Sequence, residues 1–209
     1  MSAPTKSAEV RRILERYLVE VVETYQLCPW ARGARQGGEL AVEVVLGVPT
    51  LDAWTAAIDR AFASTQTRIA MIVAPELVID IPDLRELRDR CTAARPGYGI
   101  AEFHPTAELD LGSPGRLVRF LRRSPDPLLQ LVPLSLLHSV HATELPDRAQ
   151  QAQILLGVEV PPARDVGAQI AQANHATVAA HHVMIEAVLA EIARDRDASY
   201  ARVGISACR

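Results

Sequence analysis

The sequence predicts an α/β protein: a layered sheet of three to four strands, with flanking helices and a long C-terminal helix. Three observations carry that prediction. Short runs rich in Val, Ile and Ala recur at residues 40–46, 68–73 and 99–103, at strand length. Segments with helical spacing separate them, and strand–helix alternation favours a layered sheet. The central run, Ile69-Ala70-Met71-Ile72-Val73, is apolar at every position, which suits a strand covered on both faces.

The elements follow in order. Val10, Ile13, Leu14, Tyr17, Leu18, Val21 and Val22 recur at three and four residues, a helical stripe that Ser7 can cap and that should end near Tyr25. A short segment, Leu27 to Arg32, is closed by Gly37-Gly38. Thr50 caps a helix through about Phe62. Pro82 opens another that runs to about Ala94, since proline suits the first helical turn. Pro96-Gly97 breaks the chain before the strand at 99–103. Residues 112–115 read as a loop, 116–123 as a short helix, and 128–132 as a fourth strand or a buried helical turn. Residues 134–141 read as helical. A polar stretch at 144–153 and an apolar one at 154–157 lead to the break at Pro161-Pro162. Asp165 then caps a long helix to about Arg194, and residues 195–209 read as a tail. The expected organisation is an α/β domain over 1–160 and a C-terminal helical segment over 161–209, packed on it or extending from it.

The bulk numbers are those of a globular chain. Of 209 residues, 49% are hydrophobic and 22% charged, enough to bury a substantial core. Aromatics are only 4%, so Leu, Val, Ile and Ala must fill that core. A net charge of −3 argues against nucleic acid as a partner, which usually demands a basic excess. No window holds 18 uninterrupted apolar residues, so no membrane span is expected. The first nine residues lack a signal pattern, and the odd set Cys28, Cys91 and Cys208 suits no disulfide framework; a reducing cytoplasm is the expected location.

Several residues could carry chemistry. Cys28 precedes Pro29, which could occupy the first position of a short helix; a cysteine capping that helix start would be favoured as thiolate. Arg32 and Arg35 would add to the effect. Against this stands the ordinary burial of lone cysteines, the reading given to Cys91 beside Leu84 and Leu87. His104 falls at the C-terminal end of a strand, the edge where open α/β sheets gather ligands. Arg116, Arg119, Arg122 and Arg123, with Ser124, form a basic segment. Either it is an anion site, or it is a solvated face that Asp110 and Asp126 neutralise. His138 and His141 have a spacing that can seat two metal ligands on one helix face. His175 and His182 lie seven apart, about 10.5 Å along a helix, too far to share an ion. His182 shares a stripe with Val178, Ile185 and Leu189 and reads as a partly buried structural histidine. No P-loop, GxGxxG, HExxH, GxSxG or CxxC pattern occurs.

Three of these segments together resemble a known family. Leu27-Cys28-Pro29-Trp30-Ala31-Arg32 is similar to its LCPFAK or LCPFAR motif, and Phe103-His104-Pro105 to its FHP. The run Arg123-Ser124-Pro125-Asp126-Pro127-Leu128-Leu129-Gln130-Leu131 is similar to its TNRSPYPTLHLL, joined at the arginine. In order and spacing the chain resembles the bacterial "domain of unknown function 1415" family over about residues 9–140. The resemblance implies that Cys28, His104, Arg123 and Ser124 form one constellation, and it implies no particular chemistry. Leu121 and Arg122 replace the family's threonine and asparagine, Gln130 its histidine, and Ala107 and Leu109 its aromatics. A metal ligand or base at that histidine would be missing here.

The functional expectation is a small-molecule- or metal-binding enzyme. Cys28 serves as nucleophile or metal ligand and His104 as base or second ligand. Arg123, Ser124 and Arg32 bind the ligand. The alternatives are a non-catalytic interaction protein, a homodimer joined through the C-terminal helix, or a haem protein. The cofactor would be a metal ion or haem, and the substrate a small molecule.

Overall fold

The computed structural model describes residues 5–141 and 166–206. Four strands form one mixed sheet in the order β1-β2-β4-β3: β1 (Leu40–Val44), β2 (Ile69–Val73), β3 (Tyr98–Phe103) and β4 (Leu128–Pro133). β1 and β2 are parallel, and β4 runs antiparallel to both β2 and β3. The first three strands therefore point the same way, and β4 is wedged between the second and third. The segment at 128–132 is thus a strand and not a helical turn.

The remaining elements are α1 (Lys6–Tyr17), α2 (Ala31–Gln36), α3 (Leu51–Ala61), α4 (Ile81–Ala94), α5 (Pro114–Leu121), α6 (Leu134–His141) and α7 (Val166–Val203). Their starts follow local chemistry. Thr50, Asp80 and Ser113 each accept a backbone N–H three residues on, at Ala53, Asp83 and Arg116. Proline follows within the first turn of α4 and of α5, so α5 begins two residues earlier than expected, inside the segment read as a loop. The first helix is capped by Thr5 rather than Ser7, because the Thr5 hydroxyl reaches Ala8 N–H. It runs on through a widened π-helical stretch, Leu18–Glu23, where Thr24 N–H donates to Val19 O.

The sheet is covered on both faces, as the unbroken run in β2 requires. Met71 and Val73 face α1, α5 and α7, in a core with Ile13, Tyr17, Leu117, Phe120, Ile185 and Tyr200. Ala70 and Ile72 face α3 and α4, in a second core with Trp54, Ile58, Leu84, Leu129 and Leu131. Cys91 is buried in this second core, as expected.

The main departure from expectation is at the C-terminus. Residues 195–203 continue α7 instead of forming a tail. The charged run Arg194-Asp195-Arg196-Asp197 looks solvated, yet its partners come from far away in sequence. Asp195 accepts from Arg12 and Arg16, each at 2.7 Å. Arg196 Nε donates to the buried Asp126 at 2.7 Å. α7 thus packs along α1 and α5 through Val178, Ile185 and Ile192. By length and composition alone, this helix is also long and apolar enough to cross a membrane. The stretches at 144–153 and 154–157, the prolines 161 and 162, the Asp165 cap and Cys208 lie outside the described residues.

Candidate functional site

Two cavities carry the residues singled out from the sequence, and they share no lining residue. The first measures about 450 Å³. It opens at the C-terminal end of β3, on the sheet edge, between the first turn of α4 and one face of α5. Pro82 and Arg85 come from α4, Glu102 and His104 from β3 and its exit, and Arg119 and Arg122 from α5.

His104 holds these segments together. Its backbone N–H donates to Arg122 O at the end of α5, at 3.0 Å. The ring is buried. Thr106 backbone N–H points at Nδ1 from 3.2 Å, so Nδ1 must accept, and the Thr106 hydroxyl lies 2.9 Å from the same atom. Nε2 therefore carries the proton and donates to Ile79 O, at 2.9 Å, in the loop before α4. Both nitrogens are engaged. In this structure the ring that was expected to act as base or metal ligand has both nitrogens hydrogen-bonded within the chain, to Ile79 O and to Thr106.

Glu102 is the buried charge of this cavity. Its carboxylate accepts from Arg88 at 2.6 Å and Arg122 at 3.1 Å, with Arg85 Nε at 3.5 Å. Burial would raise this carboxyl, but its own backbone N–H and the facing Arg122 and Arg88 outweigh burial. They hold it below the usual carboxylate range. Arg119, on the exposed wall, makes no side-chain hydrogen bond or ion pair among the described residues. Sequence reasoning passed over Glu102; the signal was a lone acid in the otherwise apolar strand Tyr98–Phe103.

The second cavity, about 400 Å³, is lined by Glu23, Gln26, Cys28, Arg32 and, from α7, Ala173 and Asn174. Cys28 is half-buried there. It does not cap a helix start: α2 begins at Ala31 behind Trp30, and Cys28 contributes only its carbonyl, to Ala31 N–H. The arginines expected to support a thiolate are turned to Glu23, Arg35 Nε at 2.6 Å and Arg32 Nε at 3.4 Å. Arg35 chiefly, with Arg32, holds the Glu23 carboxyl below its ordinary value against the opposing effect of burial. Asn174 donates to Leu27 O at 3.0 Å and so ties α7 to this loop.

The structure therefore does not bring Cys28, His104 and Arg123 into one pocket. Arg123 lines neither cavity; its Nε donates to Pro105 O at 3.2 Å and its Nη1 lies 3.6 Å from Glu186 on α7. Ser124 is buried and its hydroxyl donates to Asp126 O at 2.6 Å, so it shapes a turn instead of meeting a ligand. Asp126 pairs with Arg196 and not with the α5 arginines, whereas Asp110 does lie 3.7 Å from Arg116. Cys28 and His104 form no common metal site, and no group of three His, Cys, Asp or Glu suited to a metal occurs among the described residues. The side chains of His138 and His141 lie outside what is described. His175 points at Leu111 O and His181 packs on Tyr25.

Comparison with known proteins gives no match: no family model, no curated protein and no solved structure is similar to the chain.

Proposed function

We propose that the protein binds a small molecule in the cavity at the β3 edge, with His104 as the residue that holds the site in shape. One observation carries the reading. Three separate chain segments, at residues 79–85, 102–108 and 118–122, meet around one concavity, and a single buried histidine ties them together, through its ring to Ile79 O and through its backbone N–H to Arg122 O. A volume of about 450 Å³ falls within the range of small-ligand sites. The location, at the carboxyl end of a strand in an α/β sheet, is where such ligands gather. The test is a saturation-transfer NMR screen of small neutral, cationic and anionic compounds. Wild-type protein gives hits, and Val118→Trp, which fills the cavity from its exposed wall, loses them while its circular dichroism is unchanged. Hits that survive in Val118→Trp contradict the reading.

A second reading, a homodimer through α7, is favoured by a separate observation. Ala173, Ala176, Ala180, Val183, Ala187 and Ala190 are all exposed and follow the alternating three- and four-residue spacing of a helix-pairing seam. The seam lies opposite the buried column Val178, Ile185 and Ile192. Val183 is 69% exposed and the adjacent Met184 61%. Parallel pairing would set Glu186 against Glu191 of a second copy. Antiparallel pairing sets Glu186 beside Ala179 and brings Ala180 opposite Val183, so the antiparallel dimer is the one proposed. Light scattering after gel filtration should give twice the chain mass, and Val183→Glu the single mass. A monomeric wild type, or partition into lipid vesicles instead of self-association, overturns it.

A further inference from the structure

Resting on the reading of the β3-edge cavity as a ligand site, we infer that its ligand is an anion, a carboxylate or phosphate group gripped by Arg119 together with Arg122 and Arg85. Three guanidiniums line the cavity against two carboxylates, Glu102 and Glu108. Glu102 is buried and already committed, with Arg88 as its shortest partner at 2.6 Å. Arg88 is itself paired with Asp89 at 2.7 Å. Arg122 and Arg85 reach Glu102 through one nitrogen each, at 3.1 and 3.5 Å, which leaves most of their five donors directed elsewhere. Arg119 has no carboxylate partner among the described residues.

Geometry points the same way. Glu102 acts as a buried anchor that holds Arg122 and Arg85 in fixed positions on two sides of the cavity, one from α5 and one from α4. Arg119 lies one helical turn before Arg122, at a spacing of three, so both guanidiniums reach the same side of α5. Planar forks held in this way match the oxygens of a carboxylate or phosphate bidentately. The first turn of α4 also lines the cavity with Ile81 and Pro82, but the positive end of that helix is already met by the carboxylate of its cap Asp80, so the anion-binding charge is that of the arginines. Glu108, exposed at the rim, is the carboxylate of the lining that has no ion pair among the described residues. A cationic ligand would meet Glu108 alone against three guanidiniums, and a neutral ligand would leave Arg119 without a partner.

The experiment compares succinate and inorganic phosphate with succinamide, the neutral analogue of succinate, and putrescine, a dication. Binding is read from backbone amide shifts of residues 102–108 and 118–122. The inference expects succinate or phosphate to shift these amides saturably and succinamide and putrescine to leave them unmoved. Arg119→Gln, an exposed substitution, should weaken anion binding at least tenfold, and Arg119→Lys should restore part of it. Equal binding of succinamide and succinate at these amides, or binding of putrescine in their place, overturns the anion inference and leaves the cavity reading standing. If no compound of any class moves these amides, both fall. Anion shifts that persist undiminished in Arg119→Gln also overturn the assignment.

Discussion

The carboxylate of Asp126 is buried and accepts from Arg196 Nε at 2.7 Å, while its second oxygen accepts from the Tyr200 hydroxyl at 2.6 Å. The relationship spans 70 residues and fixes the turn before β4 to the last turns of α7. The Arg196 guanidinium also lies 5.0 Å from the Tyr200 ring centre. Removing Asp126 takes from the buried Arg196 guanidinium its shortest ion pair, leaving the exposed Asp197 carboxylate at 3.1 Å, and takes from the Tyr200 hydroxyl its acceptor, at a cost of about 3–5 kcal/mol. Asp126→Ala should lower the urea-unfolding free energy by that amount. Ser124→Ala, which loses only the hydroxyl bond to Asp126 O, should cost about 1 kcal/mol. A loss below about 1 kcal/mol for Asp126→Ala would show that the pair does not anchor α7.

This anchor marks the limit of what was legible in the sequence. The strands, the Thr50 cap and Pro82 in the first turn of α4 could be read locally, because each depends on neighbours a few residues away. The end of α7 could not. Arg12 and Asp195 are 183 residues apart, and alternating charges without their partners look like a solvated tail. The place of β4 was hidden for the same reason: an antiparallel strand slotted between β2 and β3 is decided by tertiary packing. At the site, the position of His104 at a strand end was legible. Its role was not, since the acceptor of its Nε2 proton is Ile79 O, 25 residues upstream.

Acid should expose the second anchor of α7. Hydrogen bonds from Arg12 above all, then from Arg16 and Ser199, hold the Asp195 carboxyl well below the usual carboxylate range, against burial. A depressed native pKa means that the stabilisation is complete above the unfolded carboxylate value of about 4. It is lost as pH falls from there toward the native value. Urea unfolding from pH 7 down to pH 2 should therefore show wild type losing stability below about pH 4. Asp195→Asn should be less stable at pH 7 by about 1–2 kcal/mol, and the gap should close in acid. A gap that stays constant with pH would contradict the ion-pair account.

The cysteines should separate by accessibility. Burial pushes the Cys91 thiol up to about 11, and the residue is fully enclosed in the second core. Cys28 is half-buried on a cavity wall. In a Cys208→Ala background at pH 8, iodoacetamide should modify one thiol in the folded protein and the second only in denaturant. Mass spectrometry should place the first label on Cys28. Two labels in the folded state, or a first label on Cys91, would contradict the burial pattern.

His104 should carry a proton on Nε2, because Nδ1 accepts from the Thr106 backbone N–H. A long-range proton–nitrogen correlation spectrum reads the tautomer directly. His104→Ala should lose about 1–3 kcal/mol of stability by leaving buried partners unmatched. A proton on Nδ1 would contradict the assigned positioning role.

Where a ligand binds decides between the two cavities. Backbone amide mapping of the isotope-labelled protein titrated with succinate or inorganic phosphate answers this in one measurement. Saturable shifts should cluster at residues 79–85, 102–108 and 118–122, with those at 23–32 and 170–174 unmoved. Shifts centred on Cys28 and Asn174, with the His104 cavity silent, would contradict the proposed site.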